Sequence, residues 1–169
     1  MSKFKIVGMV ALIAFAMGAV LVGDAVAAEK GKIAGRQVFY TTSIQTLKVP
    51  DVEGHSVMLV EAKGIYSIEK WGAALQYQAY TADMTKGAGT FQGYTHTTYS
   101  DGSTTTSKFE GKSTGAGVGL TGIASAEGTF TYVKGTGRFQ GIQGRGTFKS
   151  YTVAPGQSYS DVQGEYTLP

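Results

Sequence analysis

The side chains that could perform chemistry are concentrated in one stretch of the sequence, from Tyr94 to Phe109. The chain has two histidines, and one of them, His96, lies in this stretch between threonines. An imidazole titrates near neutral pH, so it can bind a ligand, transfer a proton or complete a structural hydrogen bond. All three roles stay open for His96. No catalytic residue is assigned, and His96 is the candidate if there is one.

The same stretch contains a turn that predicts which side chains share a face. Asp101-Gly102 is typical of a two-residue hairpin loop, in which both positions take positive φ. With Ser100 opposite Ser103, one face carries Lys108 and Glu110 and belongs in water, while the other points inward. We expect this inward face, together with one tyrosine of the preceding strand, to contact a ligand: Tyr94, His96, Thr98, Thr105, Ser107, Phe109 and Tyr77.

The patterns of several other site classes are missing. The chain has no cysteine, and its two histidines lie in different β-rich runs, so we expect no metal site. No G-x-S-x-G nucleophile elbow is present. The glycine-rich stretch 135–148, "GTGRFQGIQGRGTF", continues into another β-rich run instead of opening a helix, which excludes a dinucleotide or Walker phosphate loop. We therefore expect no cofactor.

The elements that must position these residues are short runs rich in Val, Ile, Thr, Tyr and Phe, without internal proline. No part of the chain after the N-terminal segment has the apolar spacing of a long helix. The regular spacing of the runs predicts one all-β domain, an antiparallel barrel or sandwich. The runs are 36–44, 55–68, 73–81, 90–99, 104–111, 128–133, 145–153 and 160–168.

A repeated glycine motif favours the barrel. "GAGTFQG" at 87–93 returns as "GTGRFQG" at 135–141. Glycine tolerates positive φ, so each copy predicts a tight corner followed by an inward phenylalanine, Phe91 or Phe139. Two copies of one corner fit a closed barrel, in which bends recur and small residues relieve crowding.

The N-terminal segment has the order of a signal peptide. Two early lysines precede the apolar run 6–22, and "AVAA" at 25–28 offers a cleavage site after Ala27 or Ala28. We expect a signal peptide at 1–28, a β-barrel domain at 29–169, and a periplasmic or secreted bacterial protein. Without cysteine, the exported domain has no disulfide framework.

Charge limits the partners. The net charge is +3 and no basic run is present, which argues against nucleic acid. The predicted outer face carries charged residues, including Lys108 and Glu110, where a membrane-embedded barrel needs an apolar band. We therefore expect a protein that is not embedded in a membrane once the signal is cleaved.

Three stretches resemble the allene-oxide-cyclase-like barrel proteins of bacteria, which are related to plant allene oxide cyclases and to dirigent proteins. They are "FEGK" at 109–112, "EGTFTYVKGTGRFQGIQGRGTF" at 127–148 and "VQGEYTL" at 162–168. The resemblance implies a single eight-stranded antiparallel, calycin-type β-barrel with an apolar cavity, and a homo-oligomer that is a trimer in plant relatives. These families place an acidic residue in the first strand, whereas "VFYTTSIQT" at 38–46 has none. No catalytic residue is therefore carried over.

The sequence leaves three functions open. We expect foremost an exported barrel that binds a small, largely apolar molecule in its lumen without chemistry. The alternatives are an isomerase or cyclase that acts on a flexible apolar substrate in the cavity, and a structural or assembly role with a filled barrel. The lumen discriminates among them, because only the first two functions require an empty cavity.

Overall fold

The computed structural model describes residues 28–114 and 124–169. The predicted signal peptide, apart from Ala28, lies outside the described residues. Every β-rich run predicted above is a strand, and a short 3-10 helix at Gly137–Phe139 lies between the sixth and seventh strands. The strands are β1 (Glu29–Lys48), β2 (His55–Ile68), β3 (Gly72–Thr85), β4 (Ala88–Tyr99), β5 (Thr104–Ser113), β6 (Ser125–Gly135), β7 (Gln143–Ala154) and β8 (Gln157–Leu168).

The strands form a closed up-and-down barrel. Each strand pairs antiparallel with the next, and β8 closes the sheet by pairing with β1. The predicted eight-stranded antiparallel barrel is therefore confirmed. The connections β2–β3, β4–β5 and β6–β7 lie at one end, which we call the plugged end, and the connections β1–β2, β3–β4 and β7–β8 lie at the far end. In the described ranges, no helix is long and apolar enough to cross a membrane.

Four aromatic side chains seal the plugged end, and we call them the plug: Trp71, Tyr99, Phe139 and Tyr166. Phe139 and Tyr166 are 1% and 2% exposed. The ring of Phe139 lies 4.4 Å from that of Tyr99 and 4.8 Å from that of Trp71, centroid to centroid. The guanidinium of Arg138 covers the rings of Tyr99 and Phe139. The lumen is thus closed at this end by aromatic packing.

The turn between β4 and β5 is one residue longer than predicted. The N–H of Tyr99 donates to the carbonyl of Ser103 at 2.9 Å, so the loop comprises three residues. Gly102 has φ +81° while Asp101 does not have positive φ, which fits a turn closed by a glycine bulge instead of the predicted two-residue turn. The Asp101 carboxylate also accepts a hydrogen bond from the N–H of Ser103.

This extra residue inverts the faces of β4. Thr97 now lies opposite Thr105 and Thr95 opposite Ser107. A one-residue change of register exchanges inner and outer side chains. The prediction that Tyr94, His96 and Thr98 point inward is therefore wrong. The β5 half of the prediction holds, since Thr105 and Phe109 are buried and Lys108 is exposed.

Tyr77, predicted to point inward from β3, also lies on the opposite face. Tyr77 pairs with His96 on the outer surface, and Leu75 is 66% exposed. The inner face of β3 instead carries Ala74, Gln76 and Ala82. In its first half the strand has small or polar side chains inside, Ala74, Gln76 and Gln78, and larger apolar ones outside, Leu75 and Tyr77. The hydrophobic pattern of this half therefore indicates the wrong face. The prediction that Tyr77 points into the lumen is wrong for this reason.

The two copies of the glycine motif have different structures. Gly87 and Gly137 have positive φ, whereas Gly89 does not. A Cβ at Gly89 would lie 1.9 Å from the carbonyl oxygen of Asp83, so close backbone contact, and not the φ angle, requires glycine there. Phe91 lines the lumen and Phe139 lies in the plug. Inward phenylalanines are confirmed, but a single repeated corner is not.

We expect Gly137→Val to lower the free energy of unfolding by about 1–3 kcal/mol, because a β-branched residue is strained at positive φ. Gly137 has φ +59°, and an added Cβ would lie 2.4 Å from Oγ of Ser103. Urea unfolding measures the change. Thr129→Val, on an exposed strand position, is the control. Equal unfolding midpoints for the two variants would contradict the assignment of strain to Gly137.

Candidate functional site

The barrel encloses a cavity of about 870 Å³ that extends from the plug towards the far end. Its lining on β3 runs from Gln76 to Met84, which corresponds to about 20 Å along the axis for strands tilted by roughly 40°. The volume lies within the usual range of about 300–1,000 Å³ for small-molecule sites. This lumen is the candidate site.

The part of the lumen next to the plug is polar, and we call it the polar floor. Five neighbouring strands, β2 to β6, supply it with inward residues of the half that is closer to the plugged end. The amide nitrogen of Gln76 donates to Oγ1 of Thr97 at 3.1 Å, and that of Gln78 donates to Oγ1 of Thr95 at 3.0 Å. The polar floor comprises Tyr66, Gln76, Gln78, Thr95, Thr97, Thr105, Ser107 and Tyr132.

The next inward residues towards the far end are aromatic, and we call them the aromatic belt: Tyr80, Phe91, Phe109, Phe130 and Phe148. The rings of Phe91, Phe109 and Phe148 lie 6.1–6.2 Å apart, and that of Tyr80 lies 5.9 Å from Phe109. These separations are typical of packed aromatic pairs. Beyond the belt, Met58, Ala82 and Met84 continue an apolar lining. On β7 and β8, however, hydroxyls follow the belt towards the far end: Ser150, Thr152, Ser158 and Ser160. The lumen is thus polar at its depth, aromatic in the middle and mixed towards the far end.

The lining is uncharged. Among the described residues that form it, none is Asp, Glu, Lys, Arg or His. The titratable side chains are tyrosines, and burial raises the pKa of Tyr66 and of Tyr80 above the ordinary value. Burial also raises the pKa of Tyr132, and nearby Tyr99 and Tyr66 raise it further. These phenols therefore stay protonated near neutral pH and serve as hydrogen-bond donors.

The structure brings only part of the predicted site together. Thr105, Ser107 and Phe109 line the lumen, and their contact with a ligand stays a prediction. The four other predicted residues lie on the outer surface, where Nδ1 of His96 is 3.1 Å from Oγ1 of Thr106. The carboxamides of Gln76 and Gln78 line the lumen although the sequence pattern does not place them there. The sequence offers no signal for them, because glutamines that alternate with Leu75 and Tyr77 are typical of the solvent-facing side of a strand.

The other histidine, His55, lies at the start of β2 and joins the β1–β2 loop to the end of β3 at the far end. Its Nδ1 lies 2.6 Å from the Asp51 carboxylate and its Nε2 lies 2.8 Å from the Asp83 carboxylate. Because the two carboxylates occupy opposite sides of the ring, they do not converge on a single metal position. The hydrogen bond to Asp51, and to a smaller extent the one to Asp83, raises the pKa of His55 above its ordinary value. The arrangement holds the start of β2 to the end of β3.

We expect this contact to make stability depend on pH. The raised folded-state pKa of His55 means that its contribution is fully present below about pH 6.5 and is lost as pH rises through that pKa. The pKa of Asp51 is lowered, chiefly by its hydrogen bond with His55, so its contribution is lost as pH falls below about 4. His55→Gln should therefore destabilise the protein more at about pH 5.5 than at about pH 8.5.

Urea unfolding at both pH values measures this difference. His96→Gln is the control, because the structure pairs that imidazole with the uncharged Thr106. A loss of stability in His55→Gln that is the same at both pH values would contradict the charged contact.

The fold is similar to solved dirigent structures. The pterocarpan synthase dirigent protein GePTS1 is 14% identical, with a TM-score of 0.52, over 94% of this chain and 99% of that one. A second pterocarpan synthase dirigent protein, PsPTS1, is also 14% identical, with a TM-score of 0.49, over 83% and 96%. No family model matches the sequence, and no curated protein does. At this identity the similarity establishes the fold, a dirigent-like barrel, and so confirms the resemblance at that level.

Proposed function

We propose that this dirigent-like barrel is an exported protein that binds a small, largely apolar molecule in its lumen. The observation that carries the proposal is the uncharged cavity of about 870 Å³, sealed by the plug at one end. A barrel with a purely structural role fills its interior with side chains. A cavity of this size with a few polar groups at its depth instead has the character of a small-molecule site.

The aromatic belt supplies the main contact surface. Ligand binding to an apolar lining is favourable by roughly 25 cal/mol for each Å² of apolar surface removed from water. Phenylalanine and tyrosine rings add contact area with little loss of side-chain entropy. A flat or flexible apolar body placed against Phe91, Phe109 and Phe148 would bury most of its surface.

Binding is better supported than isomerase or cyclase chemistry. Acid–base catalysis near neutral pH requires a group whose pKa lies near the working pH. The described lining has no carboxylate or imidazole, and burial moves the phenol pKa values of Tyr66 and Tyr132 away from neutrality. The phenols can hold an oxygen atom of a ligand, but they do not exchange a proton with it readily.

The test is a fluorescence titration of the purified 29–169 chain with N-phenyl-1-naphthylamine, an apolar probe whose emission rises in apolar surroundings. We expect saturable binding of one probe per chain. Urea-unfolded protein is the control and should give no saturable signal. A linear, non-saturating response from the folded protein would contradict the proposal.

A further inference from the structure

Three buried polar atoms around the depth of the lumen have no hydrogen-bond partner within the described part of the chain. They are the hydroxyl oxygens of Tyr66 and Tyr99 and Oε1 of Gln76, on residues that are 4%, 3% and 5% exposed. An unsatisfied buried polar group costs about 1–3 kcal/mol. Folded proteins rarely retain several such groups in one place unless a ligand or water completes them.

The chemistry of these atoms is complementary. The amide nitrogen of Gln76 is used by Thr97, so the free end of the carboxamide is an acceptor. The phenols of Tyr66 and Tyr99 are donors, since burial raises the pKa of Tyr66 and raises that of Tyr99 to about 12. Tyr66 and Gln76 line the cavity, and Tyr99 belongs to the plug. Tyr66 and Gln76 therefore offer a donor and an acceptor to one small group in the cavity, while the phenol of Tyr99 lies in the plug beside Thr105.

The lining of the lumen disfavours a charged group on the ligand. A buried carboxylate or ammonium is costly unless an opposite charge pairs with it. The described lining supplies no such charge at any depth. The threonine and serine hydroxyls of the polar floor can make further hydrogen bonds, but they do not neutralise an ion.

We propose that the polar floor selects a ligand with a neutral head group that both accepts and donates a hydrogen bond, a hydroxyl or a primary carboxamide, at the end of an apolar body. This inference rests on the proposed function of the lumen. The head group accepts from the phenol of Tyr66 and donates to Oε1 of Gln76. The apolar body lies along the aromatic belt and points towards the far end. Fatty acids and fatty amines of the same length are excluded by their charge.

The test is displacement of bound N-phenyl-1-naphthylamine by a series of equal chain length at about pH 8, at which the acid and the amine are ionised. The series is decan-1-ol, decanamide, decanoic acid and decylamine. We expect the alcohol and the amide to displace the probe at concentrations at least about tenfold lower than the acid and the amine. A tenfold difference in affinity corresponds to about 1.4 kcal/mol of binding free energy. Equal or better displacement by the acid or the amine would overturn the inference.

The outcomes separate this inference from the proposed function. If the probe does not bind saturably, the proposed function itself fails. If the probe binds and the series shows no preference, or none of the four compounds displaces it, the lumen binds apolar molecules but its floor does not select the head group.

Substitutions in the polar floor test whether Tyr66 and Gln76 recognise the head group. Tyr66→Phe and Gln76→Leu should each lower the affinity for decan-1-ol by about 2- to 10-fold, which is the effect of losing one hydrogen bond. The affinity of both variants for the probe should change little. Tyr94→Phe removes an outer-surface phenol from a side chain that is 53% exposed and is the matched control. Tyr66→Phe should also be at least as stable as the parent, because it removes an unpaired buried hydroxyl. Unchanged affinity for decan-1-ol in both floor variants would overturn the assignment.

Discussion

Replacing Phe139 with alanine is expected to lower the free energy of unfolding by about 3–5 kcal/mol, the usual cost of removing a buried phenylalanine. Phe139 is 1% exposed and its ring contacts two other members of the plug, Tyr99 and Trp71. It lies on a short 3-10 helix between β6 and β7. The cavity left behind adds to the lost burial.

Urea unfolding followed by circular dichroism measures this change. Leu75→Ala is the matched control, because Leu75 is 66% exposed on the outer face of β3 and its truncation should alter stability by no more than about 0.5 kcal/mol. A loss in Phe139→Ala that is no larger than the loss in Leu75→Ala would contradict the description of the plug.

The second large effect is expected from Ser107→Trp, which should weaken binding of N-phenyl-1-naphthylamine at least about tenfold. Ser107 lies on the inner face of β5, between Thr105 and Phe109, and lines the cavity. An indole at this position occupies lumen volume beside the aromatic belt, where the probe would lie. Because the cavity is large, the protein should accommodate the side chain without unfolding.

Lys108→Trp provides the matched control, since it places the same indole on the next residue, whose side chain is exposed on the outer face. This variant should bind the probe like the parent. His96→Ala should also leave the affinity for the probe unchanged. The predicted two-residue turn would instead place His96 in the lumen, where its removal should change that affinity. Equal weakening by both tryptophan variants would contradict the inner and outer faces assigned to β5.

The strands were predictable because their signals are local. Runs rich in β-branched and aromatic residues between turn residues indicate strands wherever they occur, and every predicted run became one. On β8, Val162 and Tyr166 are buried and alternate with the charged and polar residues Asp161, Gln163 and Glu165. On that strand apolar residues face inward and polar residues face outward, so the pattern and the structure agree.

The site was less predictable because its signals are not local. On β3 the lumen side carries Gln76 and Gln78 while the outer side carries Leu75, which reverses the usual pattern. On β4 the face depends on a single loop residue, since a three-residue and a two-residue turn differ by one position of register. The burial of Tyr99 in the plug accompanies the longer turn, and that packing involves Phe139 and Trp71, which are distant in sequence.

The most direct test of the central claim, that the lumen binds a neutral amphiphile with its head group at the polar floor, is a crystal structure of the protein with 10-bromodecan-1-ol. Anomalous scattering locates the bromine independently of the protein. The claim predicts one bromine peak inside the barrel, on the far-end side of the aromatic belt, with the hydroxyl within hydrogen-bonding distance of Gln76 or Tyr66. A lumen filled by side chains, or a bromine peak only on the outer surface, would contradict it.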